Sequence, residues 1–185
     1  MSQFSGINAI LFYSNQLFLD ISHGDVGYAV KKSMHLGIFQ IIVTLISGGV
    51  MDRFGRRSLM ICGETMIIMA LLTGYYMLDF DKESLWDPQY VTYAIFVHMA
   101  GFSLSLGPIA VVYISEIVTD ISPYMTLMWI ETILISFVSN IMIEKFGTGK
   151  VFLFFAVISL AGLVYIWKFM LETKGKTRQQ VCSDF

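Results

Sequence analysis

Asp52-Arg53-Phe54-Gly55-Arg56-Arg57 lies between two apolar stretches, each long enough to cross a membrane. Charges this dense are costly in hydrocarbon, so the segment reads as a tight polar turn joining two spanning helices. Its three arginines also give an expected side, because short loops rich in Lys and Arg stay on the cytoplasmic face. One hexapeptide thus supplies a helix hairpin and an orientation.

The surrounding composition agrees. Of 185 residues, 56% are hydrophobic and only 14% charged, and mean hydropathy is +0.68. A soluble domain carries about 25% charged residues, so the lipid bilayer is the expected solvent of this chain. A net charge of -2 provides no basic footprint for nucleic acid. Cys62 and Cys182 are the only cysteines. They are far apart and lack metal-ligand spacing, so both read as reduced and incidental, and no metal is expected. The N-terminus has no basic n-region, and Gln3 and Asn8 interrupt any h-region, so no cleavable signal peptide is expected.

About 20 apolar residues cross a bilayer as a helix. On that measure the fold class is all-α, with six transmembrane helices expected at about 1–19, 28–50, 58–78, 90–114, 124–143 and 151–171, then a cytoplasmic tail at 172–185. Between them lie a short loop with Asp20, His23, Gly24 and Asp25, an acidic loop from Asp79 to Glu83 leading to an interfacial turn at Trp86-Asp87-Pro88, a polar connection from Ser115-Glu116 to Pro123, and a hairpin turn from Glu144 to Lys150. Gly107-Pro108 should break the fourth helix. When the loops are assigned alternately, Arg53, Arg56, Arg57, Lys168, Lys174, Lys176 and Arg178 share one side, and Lys31, Lys32, Lys82, Lys145 and Lys150 the other. That bias puts both termini in the cytoplasm, and the plasma membrane is the expected location.

Four motifs carry a family resemblance. Gln3-Phe4-Ser5-Gly6-Ile7-Asn8-Ala9-Ile10, followed by Phe12-Tyr13-Ser14, resembles the seventh helix of sugar porters in the major facilitator superfamily. The arginine turn is similar to that family's joint between helices eight and nine. Gly107-Pro108-Ile109 with Tyr113-Ile114-Ser115-Glu116-Ile117 resembles its tenth helix and the loop after it, and Glu172-Thr173-Lys174-Gly175-Lys176-Thr177 its carboxy-terminal signature. The four occur in order across nearly the whole chain. Such porters have two six-helix halves with the substrate between them, and the resemblance covers the second half only, starting inside helix seven. The expectation is therefore a fragment of a longer porter or a truncated gene product.

The resemblance implies that Gln3 and Asn8 contact sugar hydroxyls, with Phe12 and Tyr13 at an outer gate, Gln40 reaching the sugar and Phe102 in the pocket. Amides suit hydroxyls because each both donates and accepts. On a straight helix Gln3 and Asn8 would point apart; a break at Gly6 turns both inward. A second reading is open, in which these buried amides only tie helices together. Gly6, Gly107 and Pro108 read as hinges, Thr44 and Ser47 as packing residues, and Gly48-Gly49 as a place of close helix approach. Glu131, deep in the fifth helix, either binds substrate or titrates in the cavity, or pairs with His98 or an absent half; relatives usually carry an amide near this position. Glu64 reads as snorkelling or joining a gate, and His98 as a packed neutral histidine. Val111 stands where most relatives have a tryptophan beneath the sugar, Ala110 replaces a second proline, and Ser103 replaces a common carboxylate.

Asp52, Arg53, Arg56, Arg57, Glu116 and Glu172 form an expected cytoplasmic charge network, with one of the arginines on Glu116. Its simplest reading is topological, since the arginines obey the inside rule regardless. The Asp120 to Pro123 loop lacks an arginine that relatives carry. No enzyme and no cofactor are expected: His98 and Glu131 are the only candidates for acid–base work, and no zinc motif, nucleophile elbow or phosphate loop accompanies them. The expected function is transport of a hexose-like sugar by alternating access, as the C-terminal half of a facilitator or proton symporter. The alternative is a truncated, non-transporting sugar sensor or interaction partner of complete porters. Expected partners are a small-molecule sugar, the bilayer, and the missing N-terminal half or a complete porter.

Overall fold

Glycines outside the usual backbone regions set the boundaries of the helices. The computed structural model describes residues 2–22, 24–80, 89–176 and 180, without the side chains of Ser2, Tyr13, Asp20, Ile21 and Phe80. The expected turn at Trp86-Asp87-Pro88, with His23, Asp81, Lys82, Glu83, Arg178 and Cys182, lies outside the described residues. A 3-10 turn at Ser2–Ser5 precedes α1 (Ile7–Ile21). There follow α2 (Val26–Phe54), α3 (Arg56–Tyr75) with a π-helical extension at Tyr76–Phe80, α4 (Gln89–Leu104), α5 (Leu106–Ile117), α6 (Ser122–Phe146) and α7 (Thr148–Phe169).

Among the described residues, five stretches are long and apolar enough to cross a membrane: Val26–Phe54, Arg56–Asp79, Gln89–Ile117, Ser122–Phe146 and Thr148–Phe169. The expectation of six full spans is therefore met only in part. α1 has 15 residues, about 22 Å of helix against a hydrocarbon core of about 30 Å, because Gly6 separates it from the 3-10 turn before it. The arginine turn is also shorter than expected. α2 continues through Asp52, Arg53 and Phe54, and Gly55 alone reverses the chain at φ 87° and ψ 162°. Only glycine occupies that region cheaply. Gly147 makes the same one-residue reversal between α6 and α7, at φ 83° and ψ 158°.

The fourth span breaks at Ser105 (φ -128°, ψ -91°), one turn before the expected Gly107-Pro108. The reason is where a proline acts: Pro108 cannot donate to the carbonyl of Leu104, four residues back. Ser105 compensates locally. Its N–H donates to Phe102 O at 3.2 Å, and its hydroxyl donates to Gly101 O at 2.6 Å.

α3 is flanked by α4 and α7, and small residues bring it close. A Cβ on Gly63 would lie 2.7 Å from Gly101 O, and one on Gly101 would lie 2.8 Å from Gly63 O. Such small-residue contacts are how membrane helices approach backbone to backbone. The expected approach at Gly48-Gly49 is not made, since nothing comes within 4 Å of either added Cβ. Ile67, Leu71, Ile95, Met99, Val151 and Phe155 form the centre of the core. α2 and α6 stay largely exposed, with apolar residues such as Leu45 and Phe137 facing outward, as hydrocarbon solvent permits.

Candidate functional site

Gly6 gathers the first group of candidate residues. Its φ of +81° suits glycine, and an added Cβ would stand 2.9 Å from the Phe155 ring, so the backbone lies against that ring. Five residues on a straight helix would separate Gln3 and Asn8 by roughly 140°. The break instead joins them: Asn8 Nδ2 donates to Gln3 Oε1, and both side chains are buried. The Gln3 amino group and the Asn8 carbonyl take no part in that bond. Next to the pair, His98 Nε2 donates to Ser5 O at 2.9 Å. His98 is fully buried, and its Nδ1 has no hydrogen-bond partner among the described residues. It is a packed histidine that holds the 3-10 turn, and it is not bonded to Glu131.

The other candidates sit on separate elements. Phe12 is exposed on α1, one turn beyond Asn8, while the Tyr13 side chain lies outside the described ones. Gln40 is half-buried on α2. Phe102 is half-buried, and its ring covers Gly107, where an added Cβ would meet it at 3.1 Å; it thereby spans the break at Ser105. Glu131, half-buried on α6, lines a cavity of about 200 Å³ with Phe4 and Phe155. Phe155 is thus shared between the Gly6 break and the Glu131 cavity. Of the two readings of Glu64, snorkelling is not met: the residue is buried at 3% exposure against Gly162 of α7, whose added Cβ would be 3.3 Å from its Oε1.

The second group lies at the Gly55 end. Arg56 Nη2 pairs with Glu116 Oε1 at 2.9 Å, linking α3 to α5. Arg57 Nη2 donates to Trp167 O at 2.7 Å, so among the described residues it binds the end of α7 rather than a carboxylate. Glu172 accepts the backbone N–H groups of Arg56 at 2.9 Å and Arg57 at 3.1 Å, and of Lys174 at 3.1 Å. Those first N–H groups of α3 have no intrahelical acceptor, and the helix dipole favours an anion there. Burial pushes the Glu172 carboxyl up, but the donors of Lys174, Arg56, Arg57 and Thr173 outweigh it and hold it below the ordinary range. Lys174 Nζ donates to Arg53 O at 2.6 Å and ties the tail to the end of α2. Asp52 is exposed. The network therefore works as much through backbone groups as through paired charges, which residue types alone could not reveal.

A family model described as sugar (and other) transporter matches residues 1–185. The chain belongs to that family. Its relatives include D-xylose-proton symporter-like 1 of Arabidopsis thaliana, 28% identical over 97% of this chain and 36% of the relative, and the glucose transporter GlcP of Staphylococcus epidermidis, 27% identical over 97% of this chain and 41% of the relative. Among solved structures, the major facilitator superfamily proton:xylose symporter XylE bound to 6-bromo-6-deoxy-D-glucose superposes with a TM-score of 0.80 at 22% identity, over 98% of this chain and 40% of that one. That likeness shows the fold. The chain spans about two fifths of the length of these relatives. The family comprises transporters rather than enzymes, and its match together with the long apolar helices makes the chain an integral membrane protein.

Proposed function

We propose that this chain is the C-terminal half of a sugar transporter working by alternating access, with the 3-10 turn and α1 as the first of six spans. The observation that carries the reading is the Gln3–Asn8 amide pair, buried at a glycine break inside the bundle. A broken helix that presents polar groups to a cavity is how transporters of this superfamily build a midplane site. In this reading Gln3, Asn8, Gln40, Phe102 and Glu131 face the substrate, Phe12 and Tyr13 form the outer gate, and Gly6, Gly107 and Pro108 serve as hinges. Symporter and glucose-transporter relatives support a hexose- or pentose-like substrate. The other half of the pathway comes from the N-terminal half of a porter, with both termini in the cytoplasm and the plasma membrane as the site.

The Arg56–Glu116 pair is then an inner latch. It biases alternating access only by being made in one state and broken in the other. A second reading, sugar sensing without transport, draws on Val111 in place of an aromatic platform.

Uptake of labelled xylose and glucose by the full-length porter containing this chain tests the proposal. Gln3→Ala and Asn8→Ala should each weaken uptake at unchanged surface expression. Undiminished uptake in both removes the site assignment, and binding without flux in the parent protein favours the sensor.

A further inference from the structure

A second cavity, of about 410 Å³, lies between α2, α3 and α4 and has no part in the site above. Helical geometry separates the two. At roughly 100° per residue, Tyr93, Phe96, Val97 and Ala100 occupy one arc of α4, and Ile95, His98 and Phe102 the opposite one. His98 faces the 3-10 turn through its bond to Ser5. The cavity therefore opens on the side of α4 turned away from the candidate sugar path. Tyr93 and Val97 are exposed there, as residues facing hydrocarbon would be.

Its construction is amphipathic. Lys32, His35 and Phe39 of α2 line one wall at helical spacing, Met66 of α3 is on the second, and Phe96 on the third. The Tyr28 hydroxyl bonds Thr92 Oγ1 at 3.1 Å and ties α2 to α4 at one end. The Phe39 and Phe96 rings meet at 5.3 Å and close the groove toward the other. Lys32 Nζ lies 5.3 Å from the centroid of the Tyr28 ring, which directs the ammonium back toward the start of α2 and the membrane surface. Lys31 beside it is exposed. None of the lining residues is acidic, and the nearest acid on α2, Asp25, is engaged with Tyr28 N at 3.0 Å. The groove thus joins a cation at headgroup depth to an apolar slot running toward the middle of the bilayer.

We propose that this groove binds a phospholipid with an anionic headgroup, its phosphate against Lys32 and one acyl chain along Phe39, Phe96 and Met66. In the topology proposed above Lys32 lies at the outer surface, so the seat belongs to the outer leaflet. An ammonium there pairs with a lipid phosphate by a charge-assisted hydrogen bond, and the apolar slot gives the chain a fixed seat that annular lipid lacks. Lipid identity would then tune how α2 packs on α4.

Native mass spectrometry of the purified protein, titrated with phosphatidylglycerol or phosphatidylcholine of matched chains, decides the matter. The expected result is one tightly retained phosphatidylglycerol, preferred by about fivefold, the size of one lysine's attraction to an anionic surface. Lys32→Glu should abolish the preference, and Ala100→Trp, which fills the slot, should remove the retained lipid. Should Lys32→Glu fail to fold, Lys32→Gln decides by the same comparison. Equal retention of the two lipids overturns the proposal, as does an undiminished preference without Lys32 or a retained lipid in Ala100→Trp. Displacement by soluble glycerol phosphate also overturns it, in favour of a free-phosphate site.

Discussion

The carboxylate of Glu172 fills the space that a side chain at Gly55 would take: an added Cβ would sit 2.6 Å from its Oε2. The residues are far apart in sequence, yet each requires the other. Gly55 lets the chain reverse in one residue and leaves the first N–H groups of α3 uncovered, and Glu172 binds those of Arg56 and Arg57. The tail is thus part of the helix hairpin rather than an appendage to it.

Gly55→Ala should destabilise the protein more than Gly147→Ala. Both glycines hold nearly the same positive-φ backbone, and an L-residue there costs about 1–3 kcal/mol. Gly147 has nothing within 4 Å of an added Cβ, whereas Gly55 also meets Glu172. Thermal unfolding in detergent should show the larger drop for Gly55→Ala. Equal drops would mean that the Glu172 carboxylate moves aside freely.

Glu172 also sets a pH dependence. Its folded carboxyl lies below the ordinary glutamate value of 4.5, so its stabilisation is fully present above that value. It is lost as pH falls through the still lower folded value, where the carboxylate takes up a proton. The unfolding midpoint of the parent should decline below about pH 4.5, and the Glu172→Gln protein should lose that part of the decline while being less stable at neutral pH. Identical acid limbs in the two proteins would assign the decline to other groups.

Arg56 and Glu116 are a partly buried pair, with side chains 15% and 27% exposed at 2.9 Å. Arg56 Nε and Glu116 Oε2 have no further hydrogen-bond partner among the described residues, so neither charge has a substitute for the other. Arg56→Gln or Glu116→Gln should each cost about 1.5–3 kcal/mol, and the double variant less than their sum. A double-mutant cycle measures that difference; strict additivity would leave the pair without energetic coupling.

The apolar runs and the arginines disclosed an all-helical membrane protein, because span length and charge placement are local properties of the chain. What escaped was decided by contacts between segments. Gly48-Gly49 has the composition of a close-approach site, but the approach is made at Gly63 and Gly101, since only a partner helix chooses which glycine it meets. Pro108 announced a broken helix, while the break settled at Ser105. Gln3 and Asn8 were legible as a pair because Gly6 stands between them. Nothing local showed that His98 would reach Ser5 across 93 positions, or that Glu64 would turn into the α3–α7 interface instead of outward.

Gly63→Ala should be among the most disruptive single changes in the chain. Its Cβ would lie 2.0 Å from Ser105 Oγ and 2.3 Å from Ser105 Cβ, besides the Gly101 carbonyl. Two backbones and a residue at a helix break cannot all yield, so the loss should be at or above the 1–3 kcal/mol of ordinary overpacking. Gly48→Ala, with open space around it, should be neutral or slightly stabilising through helix propensity. Unfolding midpoints of the two variants test the contrast, and equal effects would mean that α3 and α4 do not meet at Gly63.

His98→Phe should release the 3-10 turn. The substitution keeps an aromatic ring in a fully buried position but removes the donor to Ser5 O. Losing that buried hydrogen bond costs about 0.5–1.5 kcal/mol, and the turn bears Gln3, whose bond to Asn8 depends on the Gly6 geometry. Backbone amides near the break, Gly6 and Ile10 among them, should then exchange with deuterium faster, with α3 and α7 unchanged. His98→Gln, which restores a donor, should recover part of the protection. Faster exchange throughout the bundle would instead make His98 a general packing residue, and unchanged exchange near Gly6 would show that the 3-10 turn does not depend on His98.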